Sequence, residues 1–539
     1  MDEPLTLPLI LERTERLFAD VPVVERRPDG AVHRADWGTV CRRVRRLADA
    51  LRRAGLAPGA RVATLMWNHR AHLEVYFAAP AAGLVVHTLN PRLHPDELAY
   101  IATHADDHLL VVDEGLLEVL AAFRARAPFR RVLVVRHGAT GALPAGCEDY
   151  EAFLAAGAAD APFAAVDERA PAGMCYTSGT TGRPKGVVYS HRAYVLHALM
   201  TSLPDSIGYS LRDTVMPVVP MFHVNAWGMP HAAALNGCAL VLPGPRLDAE
   251  SLLDLMETEG VTLAAGVPTV WLGVLRALDA APGRRRLAEG LRLVVGGSAV
   301  PEAMIRGFDR HGVTVVHAWG MTEMTPIGSV FAPKRGFAGL DEEARYALRA
   351  TQGLPAALVR MRLVDDGGRV LPWDGRGRGE LQVRGPCVTG AYHGHPEDAE
   401  SFTADGWFRT GDVATLSPEG YLRIVDRLKD LIKSGGEWIG SVDLENALMA
   451  HPAVAEAAVV AVPHPRWGER PLACVVPRAG ARVTAAELRD FLARRFPKWW
   501  LPDDFVFLEA IPRTATGKFM KRALRARFRD RFRGAEGAP

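Results

Sequence analysis

Lysine is nearly missing from this chain. Of 64 basic residues, seven are lysine and the remaining 57 are arginine. Arginine therefore serves wherever a generic positive charge suffices. A lysine then marks a place that needs a compact, strongly hydrated ammonium rather than a planar fork. Cysteine is scarce as well. Cys41, Cys147, Cys175, Cys238, Cys387 and Cys474 are scattered, with no C-x-x-C pair. That pattern argues against a structural zinc site and a disulfide framework, and suits a reducing cytoplasm. Net charge is only +2, so nothing global calls for a nucleic acid. Long apolar runs are lacking too. Stretches such as Val75 to Val86 contain Pro or Gly and fall short of a membrane span. The opening, Met1-DEPLTLPLILERTER, is acidic and has no basic segment of the kind that begins a secretory signal.

What is present is the composition of a folded protein. With 539 residues, 48% apolar and 23% charged, the chain predicts two or more globular domains. Residues 36 to 136 alternate helix and strand signals. Asp36 can cap a helix whose Val40, Val44, Leu47 and Leu51 share a face, and Gly55 suits its end. Arg61-VATLMW, Leu84-VVHTLN, His108-LLVVD and Arg131-VLVVR read as buried strands. After residue 190 the pattern resumes with Thr214-VMPVVP, Ala239-LVLP, Val261-TLAAGVP, Leu291-RLVVGG and Val313-TVVHAWG. Such alternation predicts an α/β fold of mainly parallel sheet covered by helices. From about residue 360 short alternating strands, Val359-RMRLVD, Gly379-ELQVRG and Gly420-YLRIVD, suggest a small antiparallel unit. A boundary falls near Lys429, dividing 1–428 from a compact α+β unit, 429–539. In that unit Ser441 to Met449 and Thr484 to Arg495 read as helices. Ala455-EAAVVAVP, Leu472-ACVVPR and Asp504-FVFLEAIP read as strands. The tail from Lys521 is a basic helix with Leu524, Phe528 and Phe532 on one face. It is read as a docked terminal helix, with at most peripheral membrane contact.

Four of the seven lysines sit in three unusual segments: Lys185 in Tyr176-TSGTTGRPKG, Lys429 and Lys433 in Asp426-RLKDLIKSGGEW, and Lys518 in Pro512-RTATGKFM. In the first, Thr177, Ser178, Gly179, Thr180, Thr181, Gly182 and Lys185 form an anion cradle. Glycines admit backbone N–H groups, hydroxyls donate, and the ammonium adds charge. It is not a Walker A loop, because Pro184 stands where that motif needs Gly and Gly186 where it needs Ser or Thr. His317-AWGMTEMTP offers Glu323, a hard oxygen ligand suited to Mg²⁺, beside Thr322. Trp407-FRTGDVA places Asp412 after a glycine, and a carboxylate accepting two ribose hydroxyls is a common device for nucleoside recognition. Pro220-MFHVNAWGMPH is apolar, with His223, Asn225 and Trp227 embedded. No Arg or Lys lies between Arg212 and Arg246, which suits an uncharged ligand tail.

Tyr176-TSGTTGRPKG resembles the signature of the adenylate-forming superfamily, which includes acyl-CoA synthetases, luciferases and the adenylation domains of peptide synthetases. The other motifs follow in the family's order, so the resemblance spans essentially the whole chain. It is strongest to bacterial fatty-acyl-CoA synthetases of the medium- to long-chain type. The resemblance implies a mobile C-terminal domain hinged at Lys429. It implies adenine lined by Gly297, Ser298, Ala299 and the residues His317, Ala318, Trp319 and Gly320. Thr322 would contact the α-phosphate, Thr177 and Glu323 would serve Mg²⁺, and Asp412 and Arg427 would hold ribose. Lys433 and Trp438 would lie near nucleotide and acyl-adenylate. His223, Val224 and a gate at Trp227 would line the acyl tunnel, helped by residues 264 to 270. Lys518 would neutralise the two anions that meet when a carboxylate attacks the α-phosphate. The implied activity is ATP- and Mg²⁺-dependent ligation of a fatty acid to CoA, by a cytoplasmic homodimer. Ligation of a methylthioalkanoate, aryl or other short acid, and a non-catalytic nucleotide-binding regulator, are the alternatives.

Overall fold

The computed structural model describes residues 2–177, 183–395, 398–435, 437–514 and 518–533. The helix Trp37–Arg53 forms as its signals predict. Asp36 accepts a hydrogen bond from the Thr39 amide at 2.7 Å, satisfying one of the free N–H groups of the first turn. Val40, Val44, Leu47 and Leu51 are buried along one face, each burial contributing roughly 1.5–3 kcal/mol. Gly55 follows in the left-handed region, where a residue without Cβ carries no penalty.

Among the described residues the strands form four sheets. A seven-stranded sheet runs in the order Glu148–Asp149, Arg131–Val135, Asp107–Asp113, Arg61–Leu65, Val85–Thr88, Pro171–Tyr176, Gly186–Ser190. All its pairings are parallel except the last. A nine-stranded sheet holds Arg292–Val295, Leu263–Gly266, Thr214–Pro217 and Ala239–Leu242 at its centre, all parallel, as their near-continuous apolar runs require. Thr314–Gly320 pairs with Arg292–Val295 on one side of that centre. Pro22–Arg26 pairs with Ala239–Leu242 on the other. Residues 360–427 build the expected antiparallel unit, of five strands ending in Phe408–Leu416 and Leu422–Arg427.

The C-terminal part places helices Ser441–Met449 and Ala485–Ala493 with a sheet centred on Val454–His464 and Gly468–Pro477. A capping box between Thr484 and Glu487 starts the second helix. The last helix is shorter than its apolar face predicted, Lys521–Arg527. Leu524, Phe528 and Phe532 nevertheless pack on one cluster with Val460, Val462 and Leu472, so the tail is docked. No helix among the described residues is long and apolar enough to cross a membrane.

The phosphate-loop segment joins two strands, Pro171–Tyr176 and Gly186–Ser190, which pair antiparallel with Tyr176 opposite Gly186. These two strands form an antiparallel hairpin at the edge of an otherwise parallel sheet. A Walker A loop instead opens a helix.

Candidate active site

Asp412 lies on strand Phe408–Leu416 directly opposite Arg427 on Leu422–Arg427. Its carboxylate is buried and held at both oxygens. Arg427 Nε approaches Oδ1 at 2.6 Å, and the Trp319 indole N–H donates to Oδ2 at 2.9 Å. Burial pushes the Asp412 carboxyl up, against the pull of Arg427 and the indole. The pair predicted for adenine and ribose is thus physically joined. Trp319 itself packs where only glycine fits, since a Cβ on Gly328 would come 2.4 Å from the indole ring. Gly320 is required for a similar reason, with the Pro326 carbonyl 1.9 Å from where its Cβ would be. His317 is buried, its Nδ1 lies 3.1 Å from the Ala350 carbonyl, and burial pushes its imidazole down to about 4. Its side chain is a neutral member of the sheet rather than a charge in the site.

Glu323 sits in a short 3₁₀ turn after strand Thr314–Gly320, and its buried carboxylate accepts from the Tyr392 hydroxyl at 2.6 Å. Thr322 is buried beside it, its carbonyl accepting from Tyr189 at 2.8 Å. Thr177 pairs with Lys185 across the mouth of the phosphate loop, N to O at 2.9 Å. Lys185 Nζ meets Asp398 at 2.6 Å and lies 4.6 Å from the Tyr392 ring centre. Ser178, Gly179, Thr180, Thr181 and Gly182 lie outside the described residues.

Lys518 belongs to the C-terminal part yet reaches this site. A Cβ on Gly297 would stand 3.7 Å from its Cε. Its ammonium pKa falls to about 8, chiefly through burial and then through Arg427, while Asp412 and Glu323 pull the other way. Lys429 follows strand Leu422–Arg427, and burial also lowers its pKa. Gly297 adopts φ +84°, with Ser298 and Ala299 following on the loop after strand Arg292–Val295. Gly296 was not read from the sequence. A Cβ there would come 2.6 Å from the Ala318 carbonyl. Lys433 and Trp438 face each other across a hairpin, ammonium 4.4 Å from the ring centre. Trp438 packs against the cluster of Val413, Val425 and Leu431.

The apolar segment holds an unexpected backbone. Val224, Asn225, Ala226 and Trp227 all have φ between 45° and 54°, a left-handed turn built from residues with side chains. Such geometry costs roughly 1–2 kcal/mol per residue and persists only where the surroundings impose it. Asn225 is one anchor, since its Oδ1 accepts from the Tyr194 hydroxyl at 2.6 Å. The turn carries Trp227 toward the loop after strand Arg292–Val295, 3.4 Å from a Cβ placed on Gly296. Val267, within the 264 to 270 stretch, meets the same loop, 3.3 Å from the Cβ position of Gly297. Burial, reinforced by Lys518, lowers the His223 pKa to about 3, so the ring is neutral.

A cavity of about 550 Å³ opens between the two parts of the chain. Thr177, Pro184 and His223 line it from one side, and Lys429, Arg513 and Arg522 from the other. Elsewhere, His69, Asp113 and His137 converge as metal ligands can. However, His69 Nδ1 accepts from the His72 amide at 3.4 Å, so its proton sits on Nε2, facing Asp113 at 2.7 Å. A protonated Nε2 has no lone pair for a metal.

This constellation can be set beside known proteins. Residues 11–393 match the family model described as AMP-binding enzyme, and 443–518 match AMP-binding enzyme C-terminal domain. The chain belongs to the AMP-binding enzyme family. A long-chain-fatty-acid–CoA ligase of Thermus thermophilus is 52% identical over 537 residues, 99% of this chain and 98% of that one. A 3-methylmercaptopropionyl-CoA ligase of Ruegeria lacuscaerulensis is 46% identical over 99% of both chains. Among solved structures, ATP-bound MatB from Rhodopseudomonas palustris superposes with a TM-score of 0.82 at 26% identity, covering 98% of this chain and 100% of that one. The site of this AMP-binding enzyme also uses residues that its sequence did not announce. Tyr392 and Asp398 belong to the sequence Gly390-AYHGHPED, and only the fold brings them to Glu323 and Lys185.

Proposed function

We propose that this AMP-binding enzyme is an ATP-dependent acid–CoA ligase favouring medium- to long-chain fatty acids. One observation carries the reading. Lys518, from the C-terminal part, is drawn in among Asp412, Arg427 and Glu323, beside the glycine loop at Gly297. The identity to the Thermus ligase supports the acyl class.

In the first step a carboxylate oxygen attacks the α-phosphorus, the bond to pyrophosphate breaks, and acyl-AMP forms. Two anions meet, and the ammonium of Lys518 stabilises the charge that accumulates between them. Asp412 and Arg427 hold ribose. Trp319 packs on adenine between Gly297, Ser298, Ala299 and the strand His317, Ala318, Gly320. Thr177, Lys185 and the rest of the loop take phosphate, and Thr322 the α-phosphate. Glu323 and Thr177 would hold Mg²⁺. One buried carboxylate with hydroxyl neighbours fits an ion that keeps water and phosphate oxygens as most of its ligands. When bound, that ion neutralises phosphate charge.

In the second step the CoA sulfur attacks the acyl carbonyl, the bond to AMP breaks, and the thiol proton leaves to solvent. The cationic cavity between the two parts suits entry of a phosphorylated thiol. This reading treats 1–428 and 429–539 as domains, with Lys429 as the hinge about which the smaller rotates between steps. Lys433 and Trp438 travel with that smaller domain. His223, Val224 and Trp227 form the acyl entrance. Cytoplasmic location and homodimer formation belong to the same reading.

The test is incubation of pure protein with ATP, Mg²⁺, CoA and acids from acetate to palmitate, plus methylthio and aryl acids. Acyl-CoA, read by mass, should form with the highest kcat/KM on a medium or long chain. A maximum on methylthiopropionate would transfer the assignment to the acid named for the Ruegeria relative. ATP binding without turnover of any acid would sink the ligase reading.

A further inference from the structure

The segment around Tyr392 touches both Glu323 and Lys185. Tyr392 donates its hydroxyl to Glu323 Oε1 at 2.6 Å. The backbone N–H of Thr389, three residues earlier, donates to the Glu323 carbonyl at 2.7 Å. The face of the same Tyr392 ring receives the Lys185 ammonium, whose charge is paired with Asp398 at 2.6 Å. Asp398 is in turn fixed by Ser401, whose N–H and hydroxyl donate to it at 3.1 and 2.9 Å. The His393 amide bonds the Gly186 carbonyl at 2.8 Å, tying the segment to the strand that leaves the loop. The ring itself is wedged against Phe402, which packs on Phe408 of the strand that carries Asp412.

We propose that Tyr392 is a positioning residue that fixes the Glu323 carboxylate for the divalent cation and the Lys185 ammonium for the phosphates. This rests on Glu323 being the cation-binding carboxylate. The chemistry is specific. A carboxylate that binds Mg²⁺ beside phosphate must present one oxygen in a narrow direction, because the ion tolerates little departure from octahedral geometry. The hydrogen bond to Oε1 removes the rotation that would otherwise blur that direction. Groups that orient a metal's ligands act in this way, and their loss typically weakens metal affinity by about 10–100-fold. The ring face meanwhile holds the Lys185 ammonium 4.6 Å from its centre, beside Asp398.

Three proteins separate the outcomes: the parent, Tyr392→Phe and Glu323→Gln. Phe keeps the ring that faces Lys185 and removes only the hydroxyl. Calorimetry with a non-hydrolysable ATP analogue, in EDTA and across a Mg²⁺ titration, gives the gain in nucleotide affinity that the cation confers. Tyr392→Phe should bind the analogue in EDTA within about twofold of the parent, with its Mg²⁺-dependent gain reduced about 10-fold. A merely structural tyrosine would lower the melting temperature and leave that gain intact, which overturns the proposal. If Glu323→Gln also leaves the gain intact, the cation site is elsewhere and both readings fall. If Glu323→Gln abolishes it while Tyr392→Phe does not change it, only the positioning role is lost. Should Tyr392→Phe not fold, Tyr392→Trp, which keeps an aromatic face and a donor, must retain more of the gain than Tyr392→Leu.

Discussion

At the scale of single residues, the informative group is Lys518. Burial and the neighbouring Arg427 lower its pKa to about 8, so the charged form dominates below that pH and is lost above it. Adenylation, followed by ATP–pyrophosphate exchange, should therefore decline above about pH 8. Lys518→Arg, whose guanidinium stays protonated, should lose that alkaline limb even though its maximal rate is lower. An unchanged limb in the arginine variant would assign the titration to another group. Lys518→Ala should reduce adenylation by about 10²–10³ while leaving thioester formation from supplied acyl-AMP largely intact. Equal loss in both half-reactions would remove its special role. Asp412 shows a related principle. Its two oxygens are held by Arg427 and Trp319, so the proposed ribose contact would need little reorganisation.

At the scale of elements, the left-handed turn at Val224–Trp227 stands out because four non-glycine residues share it. Ala226 is buried and its side chain is only a methyl, so Ala226→Gly relieves strain with little lost packing. The relief of roughly 1–2 kcal/mol outweighs the added backbone freedom, roughly 0.5–1 kcal/mol. The denaturant midpoint of unfolding should rise. A lower midpoint would show that the turn is not strained in solution. The hairpin around the phosphate loop is a second lesson in local logic. Gly186 sits where a Cβ would come 2.5 Å from Met174 and 3.2 Å from His393, so this glycine admits the closing segment.

For the whole molecule, the proposed hinge is the deciding feature. Several contacts span Lys429. The Ser441 N–H and hydroxyl bond Asp426 at 2.6 and 2.5 Å, and Arg423 pairs with Asp443 at 2.8 Å. Lys521 meets Glu445 at 2.7 Å and the Ser441 hydroxyl at 2.5 Å, tying the last helix to the same junction. A rotation about Lys429 must exchange the contacts with Asp426 and Arg423 for others. Lys429→Pro restricts the backbone there. It should retain acyl-AMP formation and lose thioester formation. Full overall turnover in that variant would place the hinge elsewhere.

The residues of the candidate site were legible in the sequence because they lie in short segments: the loop ending in Lys185, the Thr322–Glu323 pair, Asp412, and Lys518 in its glycine-containing loop. The helix at Trp37–Arg53 and the central parallel strands were legible for the same reason, since capping and burial patterns act over a few residues. The edge hairpin Pro22–Arg26 and Val32–Asp36 was not. Its place depends on parallel pairing with Ala239–Leu242, far along the chain. Nor could local pattern supply the left-handed turn, which the packed surroundings impose, or the reach of Tyr392 to Glu323. Sequence by itself determined which residues carry charge, hydroxyls and apolar surface, and in what order. Tertiary structure alone decided which of them meet, because contacts between distant segments depend on how sheets and domains pack rather than on neighbouring residues.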